Sequence, residues 1–141
     1  MTEFRVRRAH WPRDEAALAR VRRRVFIEEQ QVPEDLEWDG LDGDATHLLA
    51  EDANGSPIGT ARLLPDGHIG RMAVMRPWRG RGVGRSLLET LMDTARERGL
   101  EAVFLHAQFE AIPFYERSGF VAEGDVFMDA GIPHRTMHRA L

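Results

Sequence analysis

The densest chemistry in the chain lies in Arg79-Gly80-Arg81-Gly82-Val83-Gly84-Arg85-Ser86. Glycine lacks a β-carbon, so successive amides can turn toward one point. The first amides of a helix have no partner inside it and sit at the positive end of its dipole. With Arg79, Arg81 and Arg85 beside them, such amides suit an anion with several oxygens, a pyrophosphate above all. A bare strand-to-helix turn is the simpler reading, but it does not call for three glycines interleaved with arginines. A dinucleotide loop would need a third glycine where Arg85 stands, and a P-loop would need Gly-Lys-Ser or Gly-Lys-Thr where the chain has Gly84-Arg85-Ser86. Neither fits, which leaves the identity of the pyrophosphate open from these residues alone.

The flanking pattern supplies the strand and the helix that this loop needs. Ile69 to Val74 reads as a strand, and Val83, Leu87, Leu88, Leu91, Met92 and Ala95 share one helical face that Gly99 ends. Upstream, Glu3 to Arg8 alternates as a strand. Leu18, Val21 and Val25 stripe a helix from Asp14 to about Glu29, whose other side carries Arg20, Arg22, Arg23 and Arg24 as a solvated basic face. His47 to Glu51 and Ile58 to Leu64 read as strands joined through Asn54-Gly55, a hairpin signal, and Leu64-Pro65-Asp66-Gly67-His68 turns the chain into the strand from Ile69. Ala102 to Leu105 reads as a strand, Ala111 to Ser118 as a short helix ended by Gly119, and Phe120 to Val126 and Arg135 to Ala140 as closing strands. This order predicts a mixed α/β (α+β) domain with a partly antiparallel sheet.

Between the first helix and the hairpin, Gln30 to Ala45 reads as a loop carrying Glu34, Asp35, Glu37, Asp39, Asp42 and Asp44. It is either a solvated connection or an acidic rim for a cationic ligand. Asp35, Glu37, Asp39 and Gly40 imitate the start of a calcium loop, but Thr46 stands where the closing glutamate belongs, which excludes that metal. His134 and His138 have the spacing of a helical metal pair, yet a strand is predicted there without a third ligand, so no metal is assigned. The absence of cysteine removes disulfides, thiolate zinc sites and thiol nucleophiles together.

With 141 residues, the chain suits one domain over 1–141 that buries roughly 70% of its unfolded surface. A hydrophobic fraction of 43% and a charged fraction of 30% are those of a globular chain, and no apolar run approaches the ~20 residues of a membrane span. A net charge of -4 argues against nucleic acid as a partner, and charges interrupt every apolar stretch near the start, so the expected location is the cytoplasm without membrane attachment.

Arg79-Gly80-Arg81-Gly82-Val83-Gly84 resembles the signature of the GNAT superfamily of N-acetyltransferases, which is Arg or Gln, two residues, Gly, one residue, and Gly or Ala. The later Ala111-Ile112-Pro113-Phe114-Tyr115-Glu116-Arg117-Ser118-Gly119-Phe120 is similar to the family's second helix and turn. Val25-Phe26-Ile27-Glu28-Glu29-Gln30, Ala107-Gln108 and Gly131-Ile132-Pro133-His134 look further like the bacterial ElaA/YjcF-like subgroup. The resemblance implies a GNAT-like sheet of about six to seven strands flanked by helices. It also implies acetyl-CoA as cosubstrate, with the coenzyme pyrophosphate held by Arg79, Gly80, Arg81, Gly82, Val83, Gly84 and Arg85. Met72, Ala73 and Val74 would pair with the pantetheine arm, and Phe114 would lie beside it. Gln108 stands where many relatives carry Asn, and its amide makes the same kinds of hydrogen bond from one methylene further out.

Acetyl transfer to a primary amine needs a neutral nucleophile, support for the carbonyl oxygen and a proton for the departing thiolate. By resemblance Tyr115, the only tyrosine, is the acid toward sulfur; its alternative is to pack beside Phe114. An amide near Met72 to Val74 could donate to the carbonyl oxygen if a bulge frees it. The base is to be sought among Glu28, Glu29, Asp39, His106, Glu110 and His134. Read as a rim, the acidic loop favours a small polyamine-like or peptide amine. A non-catalytic acyl-CoA-binding sensor or interaction module is the alternative, an acyl-CoA hydrolase lacks a visible nucleophile elbow, and a homodimer is compatible with either.

Overall fold

The computed structural model describes residues 3–141. Alternating apolar and charged side chains set β1 (Phe4–Ala9), and the Leu18, Val21, Val25 stripe sets α1 (Glu15–Arg22), which runs on into a π-helical segment, Arg23–Glu29. The acidic segment forms a one-turn helix, α2 (Glu34–Glu37), followed by a 3-10 turn at Asp42–Asp44. Then come β2 (Thr46–Asp52), β3 (Pro57–Leu63) and β4 (His68–Val74), α3 (Val83–Glu97), β5 (Ala102–Gln108), α4 (Ile112–Glu116), β6 (Val121–Asp129) and β7 (Ile132–Ala140). Among the described residues no helix is long and apolar enough to cross a membrane.

The strands form one mixed sheet in the order β1-β2-β3-β4-β5-β7-β6. All neighbours are antiparallel except β4 and β5, which run parallel and pair only at His68 with Phe104 and Ile69 with Leu105. One face of the sheet carries Leu48, Ala61, Leu63, Ile69 and Leu105 against Leu87, Leu88, Leu91 and Met92 of α3. The other carries Ala9, Leu49 and Ala73 against Leu18, Val21 and Val25 of the first helix. Helices therefore cover both faces, each through an apolar stripe at helical spacing.

The expected elements are present, with four differences. The first helix widens to π geometry after Arg22, with the Gln30 amide donating to the Val25 carbonyl at 3.1 Å, and such widenings favour functional positions. The acidic loop is partly helical. Strand β5 continues to Gln108 because its outer residues pair with β7 as far as His134. Finally, β6 and β7 extend toward each other and meet in a tight turn at Ala130 (φ 53°) and Gly131 (φ 77°). Two positive φ values make a hairpin turn of the kind that favours Asn-Gly, and Ala130 hides that signal.

Arg22, counted by its spacing to a solvated face, is instead 1% exposed. Its Nε donates to Glu37 Oε2 and its Nη1 to Asp42 Oδ1, both at 2.8 Å. Arg62 donates from Nη1 to Asp42 at 3.1 Å and from Nη2 to Asp39 at 2.9 Å. Arg71 donates from Nη2 to the Glu37 carbonyl at 2.9 Å, and its Nε lies 3.0 Å from Glu37 Oε2 in ion-pair range but off the line of a hydrogen bond. Three arginines thus meet three carboxylates. Glu34 is taken by Arg23 at 2.8 Å, so four of the six carboxylates of this segment are already engaged and the segment is a clamp rather than a free acidic rim.

Burial pushes the Glu37 carboxyl above the usual range despite its arginines. Burial acts the same way on Asp39, but the Arg62 hydrogen bonds, the Leu41 amide and the charges of Arg62 and Arg71 outweigh it and hold that carboxyl at about 2. Removing one partner from a buried network leaves the others uncompensated, so Arg22→Ala should cost about 3–5 kcal/mol in urea unfolding, while an exposed control, Arg24→Ala, should cost under about 1 kcal/mol.

Candidate active site

The groove beside the glycine loop begins where β4 ends. The Met75 amide donates to the Ile58 carbonyl at 2.8 Å, a 3-10 turn at Arg76–Trp78 reverses the chain, and Gly80 (φ 76°) and Gly82 (φ 86°) take left-handed conformations closed to most side chains. Gly82 is the N-cap of α3, so the free amides of that helix open into a cavity of about 650 Å³. Met72, Ala73, Val74, Arg79, Gly80, Gly82, Val83, Gly84, Arg85 and Phe114 all line it. Gly84 lets α4 approach, since a β-carbon there would meet the Phe114 ring at 3.4 Å.

The arginines of the loop are spoken for in different ways. Arg79 forms two hydrogen bonds to Glu29, at 2.7 and 3.0 Å, and donates from Nε to the Val74 carbonyl at 2.9 Å. Arg85 pairs with Glu89 at 2.9 Å, and Arg81 lies 5.1 Å over the Trp78 ring, outside the groove lining. The positive elements facing the groove are therefore the amides of the loop and of the α3 N-terminus together with Arg117, which is exposed and in no ion pair among the described residues, while Arg79 braces the loop against β4 and the first helix.

Strand β4 carries a bulge. Thr60 opposes Ala73 and Arg62 opposes Gly70, so Ala61 alone faces both Arg71 and Met72. Arg71 has φ 49°, and the Thr60 hydroxyl donates to its carbonyl at 2.9 Å. Beyond Ile69, β4 parts from β5, and the opening admits Gln30, Met72, Ala111 and Tyr115, which line both the groove and a second cavity. Tyr115 is 9% exposed and held edge-on by Phe114 at 5.0 Å and Phe120 at 5.9 Å. Burial alone pushes its phenol up to about 12, so the proton is retained at any physiological pH.

The second cavity, about 240 Å³, lies on the far side of that opening. Gln108 faces it rather than the groove, and its Nε2 donates to Gln30 Oε1 at 2.8 Å, bridging β5 to the end of the first helix. His106 and His134 line the cavity. His134 is 8% exposed, and its Nδ1 sits 2.7 Å from the Ile132 carbonyl, a contact that requires the proton on Nδ1 and leaves Nε2 as an acceptor. The remaining base candidates lie elsewhere. Glu29 is on the groove side, held below the usual carboxylate range first by its Arg79 hydrogen bonds. Glu28 pairs with Arg24 at 2.9 Å on the surface, Asp39 is locked in the clamp, and Glu110 is exposed. His138 shares a sheet face with His134 but turns to Glu123 at 3.2 Å.

Three cavity residues carry no signal in the local pattern. His68 arrives only because β4 pairs in parallel with β5, and burial, with His106 adding, lowers its pKa. Glu37 reads as one acid among several until the fold buries it. Gln30 follows the helix stripe, and its position depends on the π widening before it and on Gln31, which has φ 58°.

A family model described as an acetyltransferase (GNAT) domain matches residues 12–141. The uncharacterised N-acetyltransferase YjcF of Bacillus subtilis is 36% identical over 121 residues, covering 83% of this chain and 86% of that protein. The crystal structure of an acyl-CoA N-acyltransferase from Pseudomonas aeruginosa superposes with a TM-score of 0.84 at 32% identity, covering 99% of this chain and 100% of that one. The crystal structure of Escherichia coli ElaA gives 0.83 at 31% identity, with 99% of each chain covered.

Because Tyr115 is the only tyrosine, ultraviolet titration of tyrosinate reads it alone. The folded protein should ionise near 12 and the urea-unfolded chain near 10. A raised folded pKa stabilises the neutral phenol, so this contribution to stability is complete below pH 10 and is lost as the pH rises toward 12. A folded-state midpoint at 10 would contradict the burial.

Proposed function

The chain belongs to the GNAT acetyltransferase family, and from that premise we propose that it moves the acetyl group of acetyl-CoA to a primary amine by direct attack. The observation that carries this reading is the meeting of two cavities at Tyr115, in the gap between β4 and β5. One is the larger, about 650 Å³, and has the free amides of the α3 N-terminus in its wall. The other is smaller and has three imidazoles in its lining.

The amides of Gly80 to Gly84 and the start of α3 take the pyrophosphate, as helix N-termini do for anions. Met72, Ala73 and Val74 offer the strand edge that β5 leaves unpaired to the pantetheine amides. The bulge at Arg71 and Met72 turns an amide toward the thioester carbonyl, where negative charge develops. The amine reaches the cavity as an ammonium and gives one proton to His134 Nε2, which passes it to solvent. Its nitrogen then forms the bond to the carbonyl carbon as the carbon–sulfur bond breaks. Tyr115 protonates the sulfur and is restored by the second proton of the amine, so the products are an amide, the free thiol and one released proton.

Free-thiol release from acetyl-CoA with a panel of primary amines tests this. Tyr115→Phe should lower kcat about a hundredfold or more while coenzyme binding, followed by calorimetry, changes little. His134→Gln should lower kcat/KM by about tenfold or more while coenzyme binding changes little. Coenzyme binding without release for any amine would replace the enzyme by a coenzyme-binding module.

A further inference from the structure

The second cavity has a charge balance that narrows its ligand. Arg62, Arg71 and Glu37 line it, and they belong to the clamp in which Arg22, Arg62 and Arg71 match Glu37, Asp39 and Asp42 one for one. Among the described residues, Asp129 is the one charged side chain of this lining that the clamp does not pair. Asp129 at the β6 end, exposed and in no ion pair among the described residues, lines the rim. An arriving ammonium is drawn to that rim, but a second cation carried past Asp129, or a carboxylate on the same molecule, would be buried unpaired.

The walls are more polar than apolar, with Gln30 and Gln108 beside the charged clamp, but their imidazoles lie in a run of planar rings. His68 and His106 stand 4.8 Å apart, His68 stacks on Phe104 at 4.8 Å, and Phe127 packs edge-on to His106 at 5.2 Å and stacks on His134 at 5.8 Å. This run of rings presents three imidazoles to the cavity, while Phe26, Val32, Leu36 and Ile69 supply aliphatic and aromatic carbon. At about 240 Å³ the space is of the scale of a substituted ring and is open to solvent on one side.

We propose that the acceptor is a compact monoamine with a planar body, an arylalkylamine, and that diamines and amines bearing a carboxylate are disfavoured. This rests on the acetyl-transfer reading and goes against the polyamine preference drawn from the acidic segment, three of whose six carboxylates are held in the clamp. The ring lies between the imidazole run and Phe26, and the amine points through the opening toward Tyr115 and the thioester.

Thiol release is compared for phenethylamine, n-hexylamine, putrescine and β-alanine at equal concentration. Phenethylamine should give the highest kcat/KM, with putrescine and β-alanine on the order of tenfold or more below it. Leu36, 51% exposed yet part of the wall, tolerates a polar replacement, and Leu36→Glu should raise putrescine and lower phenethylamine by giving the second ammonium a partner. A wild-type preference for putrescine or β-alanine overturns the inference. Calorimetric titration of phenethylamine into the coenzyme A-bound protein separates the two readings. Saturable phenethylamine binding, against none for β-alanine, without any thiol release keeps the ligand class and sinks acetyl transfer; neither binding nor release sinks the ligand class.

Discussion

Two paired positions are all that join β4 to β5, and everything functional in the molecule follows from how little that is. A parallel ladder that continued would fill the sheet with main-chain hydrogen bonds and leave no passage between its halves. Instead the edge of β4 past Ile69 is left with open donors and acceptors, and the groove beside the glycine loop and the small cavity meet through the space so made. A gap in a sheet has to be held apart from both sides. The clamp of arginines and carboxylates pins the bulged part of β4 to the segment after the first helix, and α4 with Tyr115 and Phe120 fills the side toward β5 and β6.

The clamp is costly by ordinary accounts, since charges taken from water recover the loss only with close partners, and an apolar replacement is often as stable. Its merit here is directional. Arg71 cannot adopt a left-handed backbone freely, and its guanidinium is held by the Leu36 and Glu37 carbonyls and by Asp39, with Thr60 fixing its own carbonyl. An apolar side chain would pack without dictating the rotation of a peptide plane. Non-glycine residues with positive φ recur at Gln31, Arg71 and Ala130, each next to or within the lining of the small cavity, where strain is retained because surrounding contacts enforce it.

What could be read in the sequence was local. The glycines and arginines before a strongly amphipathic helix, the Asn54-Gly55 turn and the Phe114-Tyr115 pair each declare themselves within a dozen residues, and they locate the groove. The small cavity is different because its chemistry arises from pairings between distant segments. Arg22 falls on the basic side of its helix by spacing, yet burial depends on Glu37 and Asp42 reaching it from a stretch with no regular pattern. The bulge at Arg71 has no glycine to announce it, the turn at Ala130 lacks an asparagine, and His68 looks like a turn residue until β4 meets β5. The charges of residues 30–45 were visible as a run, but not that arginines from three different elements would neutralise them.

The groove is walled mainly by two nearly continuous stretches, Met72 to Arg85 and Ala111 to Ser118, whereas the small cavity collects side chains from four separated parts of the chain. A change in the groove disturbs a loop whose every amide matters. A change in the cavity usually alters one side chain on a frame fixed by something else. On the acetyl-transfer reading, the acceptor can therefore be exchanged one residue at a time while the groove stays the same, and relatives with nearly superimposable backbones are expected to differ in the amines they modify.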